Sequence, residues 1–188
     1  GRWNKRFLLV AAALLAGFIA SIFAIGAELA IEAHRDIMKV SPWLSLLIAP
    51  TGFALIAWIA RRFFPGTYGS GIPQAIAASQ TDDPRVRGKL LSLRIAISKV
   101  VLTLGGLLSG GSIGREGPTV QVAASIMHML AWRKKTRVSS RDLIVAGSGA
   151  GIAAAFNTPI GGIMFAIEEM CHHRPFHANS TTLTAVIF

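Results

Sequence analysis

The chain has 188 residues, 52% of them apolar and only 15% charged, with a mean hydropathy of +0.54. Soluble domains carry about 25% charged residues, so this composition excludes an ordinary water-soluble fold and points to a membrane. The net charge of +10 would suit nucleic acid in a soluble protein, but here the cations lie between apolar runs, which favours positive-inside topology and leaves nucleic acid out. The length fits one domain, and the single Cys171 forbids an internal disulfide.

At 1.5 Å per residue, a hydrocarbon core of roughly 30 Å takes about 20 helical residues. Residues 7–27 follow Arg2, Lys5 and Arg6, meet that length and exceed the apolar stretch of a cleavable signal peptide, so they are expected to span. Residues 28–42 set Glu28, Glu32 and Asp36 against Arg35 and Lys39, and this acidic stretch is expected to be an outer linker. Residues 43–60 return, and Arg61 and Arg62 mark the inner side.

Residues 67–79 read TYGSGIPQAIAAS. The apolar piece after Pro73 is too short to span and has basic residues on both flanks, so it is expected to be re-entrant. Such backbone survives at membrane depth only where protein or a watery cavity satisfies it. Residues 90–110 then cross outward, although they hold Arg94 and Lys99. Arg94 lies near the inner end and can snorkel. Lys99 lies about midway, where a cation costs roughly 2.5–3.5 kcal/mol; it either snorkels or pairs internally, or it raises the local potential for an anion.

Residues 118–132 make a helix of roughly 22 Å, short of a full span. They end in the densest basic cluster, Arg133 to Arg141. With that end fixed at the inner surface, the GREGP stretch that opens the helix must lie below the outer one. Within residues 143–167, Pro159 disfavours an unbroken helix, so two shorter helices are expected, out to Asn157 and back. Gly147 and Gly151 fit GxxxG, with no strand before them to suggest a dinucleotide loop, and predict close helix packing. Residues 181–188 open an apolar segment too short to cross, and more protein is expected to follow.

GSGIP at 69–73 and GREGP at 114–118 share a layout: glycine first, proline fifth, a short apolar helix afterwards. Proline in the first turn sacrifices no hydrogen bond there, and the preceding glycines let backbone N–H groups face a cavity. A helix N-terminus carries about half a positive charge and unpaired donors. Two such ends meeting in the membrane make an anion site, as in transporters built from broken helices. Ser70 adds a hydroxyl. The Glu116 carboxylate mimics an anion at the second N-terminus, so it is a candidate gate whose protonation frees the site. Arg115 either holds the turn or raises the potential at the mouth. The plainer alternative is that Arg115 and Glu116 pair with each other in an outer loop.

Glu168 and Glu169 close the last helix, where a carboxylate opposes the dipole. Proton delivery from the inner side is one reason for them, and a solvated helix end is the other. His172, His173 and His177 match no strong metal spacing, and no metal site is expected.

These motifs, with AGSGAGIAAAFNTPIGGIMFAIEEM at 146–170, resemble the CLC family of chloride channels and proton/chloride antiporters over nearly the whole chain. The resemblance implies an all-α, polytopic membrane protein of CLC-type fold with broken and re-entrant helices. Residues 1–188 would form the N-terminal portion of the transport domain, one of two inverted halves in each subunit of a homodimer. It implies chloride binding by Gly69, Ser70, Gly71, Ile72 and Pro73 and by Gly114, Arg115, Glu116, Gly117 and Pro118. Ser70 would coordinate the ion, Glu116 gate it, Glu116 and Glu169 carry the proton, and Lys99 act electrostatically.

The family's third motif, GxFxP, and its central tyrosine are absent, and Gln74 stands where many members have glutamate. The implied function is chloride transport, coupled to protons through Glu116 and Glu169, in a bacterial inner membrane; the alternative is a passive voltage-gated channel. The partners implied are chloride, protons, lipid and a second copy, with no cofactor and no enzymatic activity. An intramembrane hydrolase is remote, since HExxH and GxSxG are both missing. A helical assembly protein, whose glycines only pack helices, is a further alternative.

Overall fold

Prolines and glycines set where this chain turns. The computed structural model describes residues 2–134 and 139–170, and among these all regular structure is helical. The elements are α1 (Arg2–Val40), α2 (Pro42–Phe63), a 3-10 turn (Pro65–Thr67), α3 (Ile72–Gln80), α4 (Pro84–Leu90), α5 (Leu93–Leu108), α6 (Glu116–Lys134), α7 (Ser140–Phe156) and α8 (Pro159–Glu168). Pro42, Pro73, Pro84 and Pro159 each stand in the first turn of a helix, where the missing N–H is no loss. Cys171, His172, His173, His177 and residues 181–188 lie outside the described residues.

Among the described residues, three stretches are long and apolar enough to cross a membrane: Val10–Val40, Trp43–Phe63 and Pro84–Leu108. The helix α3, at 9 residues, and α8, at 10, are too short. The re-entrant reading of α3 therefore holds in length. The return at Asn157 also holds: this residue adopts a left-handed conformation at φ 54° and divides α7 from α8.

The expected linker at residues 28–42 is corrected. α1 continues through it as helix to Val40, because no glycine or proline interrupts the chain between Gly26 and Pro42. Asp36 and Lys39 pair at 2.8 Å across one turn, a local support for helix. The helix ends where Pro42 forces Ser41 into an extended conformation. The crossing expected at 90–110 corresponds to α5, within the apolar stretch Pro84–Leu108. α4 and α5 are separate, with the Ser92 hydroxyl accepting from the Ile95 amide to cap α5. α6 starts at Glu116, two residues ahead of Pro118.

α7 is buried on nearly every side from Leu143 to Ala153, which makes it the centre of the bundle. α1 packs with α5, α6 and α7 around Ala13, Ala96, Val122 and Leu143. α3, α6, α7 and α8 close a second cluster around Ala75, Val120, Ile144 and Ala166. α2 instead exposes Trp43, Leu46, Leu47, Leu55 and Trp58, a surface suited to lipid.

The GxxxG pair seats α7 on α6. A Cβ at Gly147 would lie 2.8 Å from the Ala123 carbonyl oxygen, and one at Gly151 would lie 2.9 Å from the Val120 Cα. Gly17 has nothing within 4 Å of its Cβ position. Alanine in a helix gains about 0.5–1 kcal/mol over glycine, whereas overpacking costs about 1–3 kcal/mol. Gly17→Ala is thus expected to hold or raise the unfolding temperature of the full-length protein, and Gly147→Ala to lower it. Equal shifts in a detergent melt would show that the α6/α7 contact is not tight.

Candidate anion site

The two motifs touch backbone to backbone. Gly71 has φ +116°, and a Cβ on it would lie 2.4 Å from the Gly117 carbonyl oxygen. A Cβ on Gly117 would lie 2.5 Å from the Ser70 carbonyl oxygen. Glycine is needed on both sides of this contact, and at Gly71 for its dihedral too. Gly69, at φ +70°, completes the turn.

Gly71 is the N-cap of α3 and supplies no side chain. The first helical bonds run from the Ala75 amide to Gly71 and from the Thr119 amide to Arg115, both at 3.1 Å. The amides of Ile72 and Gln74 in α3, and of Glu116 and Gly117 in α6, therefore have no intrahelical acceptor. Pro73 and Pro118 have no N–H to offer. Two helix N-termini, each with free donors, thus lie against each other, an arrangement that favours an anion.

The loop leading into α3 is turned by side-chain donors. Gln121 Nε2 donates to the Gly66 carbonyl at 3.0 Å, and Gln74 Nε2 donates to the Tyr68 carbonyl. Lys99 Nζ donates to the Thr67 carbonyl at 2.9 Å and also to that of Gly69. Four successive carbonyls are so engaged, which draws their negative ends toward these donors.

Lys99 is buried, and among the described residues no carboxylate pairs with it. Of the two readings of Lys99, internal pairing is the one the hydrogen bonds show: its ammonium is satisfied by the Thr67 and Gly69 carbonyls. Sequence reasoning passed over Gln121, which is fully buried and also donates to the Leu90 carbonyl at 3.0 Å. Its signal was a lone amide in an otherwise apolar helix start, PTVQVAAS.

Arg115 does not pair with Glu116. Its guanidinium lies 3.5 Å from the Glu28 carboxylate on α1, which removes the mutual ion pair as an explanation of the two charges. Glu116 is half-buried, and its carboxylate folds back over Gly114, where a Cβ would lie 2.4 Å from Oε2. The Ser70 hydroxyl has no hydrogen-bond partner among the described residues. On the outer side, His34 Nδ1 donates to the Leu108 carbonyl at 3.0 Å, so α1 holds the connection from α5 to α6 at both of its ends. Glu169 is exposed at the end of α8, and its side chain makes no polar contact with either motif. The structure unites Ser70, Glu116 and Lys99 around the α3/α6 contact and leaves Glu169 apart.

Residues 52–188 match the family model described as voltage gated chloride channel. The chain is 34% identical over 173 residues to the H(+)/Cl(-) exchange transporter ClcA of Vibrio cholerae serotype O1, strain O395, covering 87% of this chain and 36% of that protein. It is 35% identical over 187 residues to the ClcA of Cronobacter sakazakii, covering 93% of this chain and 38% of that one. The chain thus spans less than two fifths of the length of these curated relatives. Its fold is similar to that in the crystal structure of a slow cyanobacterial Cl-/H+ antiporter, with a TM-score of 0.80 and 29% identity over 96% of this chain and 43% of the other. A membrane-spanning helical bundle, two glycine-rich helix starts in contact and a family match over most of its length place this chain in the voltage-gated chloride channel (CLC) family.

Proposed function

We propose that the chain is the N-terminal part of a proton-coupled chloride antiporter that works as a homodimer in the bacterial inner membrane and has no enzymatic role. The observation that carries this reading is the contact of Gly71 with Gly117, which sets two helix starts against each other. Chloride accepts hydrogen bonds from these amides and from the Ser70 hydroxyl, within Gly69 to Pro73 and Gly114 to Pro118. Lys99 adds positive potential from behind the loop.

Glu116 is the first residue of α6, so its ionised carboxylate competes with chloride for the same electropositive point. Protonation removes the negative charge and with it the competition. A proton taken up there on one side and released on the other couples the two fluxes. Glu169, at the α8 end on the inner side, serves as the inner proton relay.

The test uses the full-length protein in chloride-loaded liposomes, with efflux and external pH recorded together under a clamped voltage. Wild type is expected to release chloride while taking up protons against their gradient. Glu116→Gln is expected to keep chloride flux and lose proton movement. Coupling retained in that variant would overturn the gate assignment, and wild-type efflux without proton movement would make the protein a passive channel.

A further inference from the structure

A cavity of about 530 Å³ lies away from the anion site, where α4 and the start of α5 meet α6 and α7. Its lining is mostly apolar, with Leu91, Leu93 and Met129, but it also holds Arg85, Arg87, Ser92 and His128. Among the described residues, no acidic side chain lines it. The two acids that precede α4 are engaged: Asp83 caps α4 through the Arg85 amide at 2.8 Å, and Asp82 is almost fully exposed, 3.7 Å from Arg87. The Arg85 guanidinium has no partner among the described residues. His128 Nδ1 is buried and likewise has no hydrogen-bond partner.

Leu93 also lines a second, wholly apolar cleft of about 180 Å³ between α1, α5 and α6. Leu93, Ile97 and Val101 recur every four residues along α5 and are all exposed, so they form one continuous apolar row of about 12 Å. By the positive-inside distribution, the arginine end of this path sits at the inner membrane surface and the apolar row runs toward the bilayer centre.

Cationic groups at the interface, joined to an apolar channel at acyl-chain depth, complement one chemistry. We propose that this cavity binds an anionic phospholipid, its phosphate held by Arg85 and His128 and one acyl chain laid along Leu93, Ile97 and Val101. Arg87 is largely committed already, since its Nε donates to the Ala78 carbonyl at 3.0 Å and so fixes the end of α3. A lipid phosphate beside it would bear on the same connection between α3 and α4.

The test uses the full-length protein in detergent, offered equal amounts of phosphatidylglycerol and phosphatidylcholine, with retained lipid counted by native mass spectrometry. Wild type is expected to retain phosphatidylglycerol in preference. Arg85→Gln is expected to weaken that retention about fivefold, the effect of one basic residue near an anionic lipid surface, and to leave phosphatidylcholine unchanged. Leu93→Trp, which narrows the cleft and keeps both arginines, is expected to weaken it independently. A melting temperature recorded for each variant separates lost binding from lost fold. Equal retention of the two lipids by wild type, or undiminished phosphatidylglycerol retention in both folded variants, would overturn the proposal.

Discussion

Gly71→Ala in the full-length protein is expected to abolish chloride binding and to lower stability more than any other single methyl addition considered above. Two penalties act together. A non-glycine residue at φ +116° costs on the order of 1–3 kcal/mol in backbone strain. The new Cβ would also lie 2.4 Å from the Gly117 carbonyl oxygen, a distance that only backbone displacement can relieve. Displacement separates the α3 and α6 starts, and the free amides then no longer address one ion. Isothermal titration with chloride and a thermal melt report the two penalties separately. Gly117→Ala, which meets the Ser70 carbonyl from the other side, is expected to match it in binding. Normal chloride affinity in either variant would mean that the contact does not build the site.

The second large effect is expected at Lys99. Lys99→Met keeps the length of the side chain and removes its charge and donors, which leaves the carbonyls of Thr67 and Gly69 unpaired in a buried place. Each orphaned carbonyl costs on the order of 1–3 kcal/mol, and the loss of positive charge weakens an anion nearby. Gln121→Leu supplies the comparison, since it orphans the carbonyls of Gly66 and Leu90 with no change of charge. Both variants are expected to melt earlier. Lys99→Met alone is expected to lose chloride affinity well beyond what loosening explains. Equal affinity losses in the two would assign Lys99 a structural role only.

What the sequence made legible was largely what glycine and proline dictate. The helix starts at GSGIP and GREGP, the return at Asn157 and Pro159 and the α6/α7 packing at Gly147 and Gly151 all follow from residues with few conformational or steric options. The misreading at residues 28–42 came from treating polarity as an end of helix. Hydropathy marks where a chain leaves lipid, but a helix ends only where backbone hydrogen bonding is broken, and nothing breaks it before Pro42. Partners distant in sequence were not legible: Arg115 with Glu28, His34 with the Leu108 carbonyl and Gln121 with Gly66 depend on how α1 and α6 pack. Lys99 was noticed for the cost of its charge, but its acceptors belong to a loop about 30 residues earlier whose path no periodicity records.

The junction at Gly71 and Gly117 has one more property. α3 and α6 both begin there and both run toward basic clusters on the inner side, so the two helices lie with like ends together. Two half-charges held a few ångströms apart repel by on the order of 1 kcal/mol at an effective dielectric of about 20, and Lys99 adds to the same side. Tight packing of small residues opposes that repulsion, and a negative group placed between the two ends reverses it. Under the proposed function, the carboxylate of Glu116 and a chloride ion take turns as that negative group, and the pair of helix ends is least stable when it holds neither.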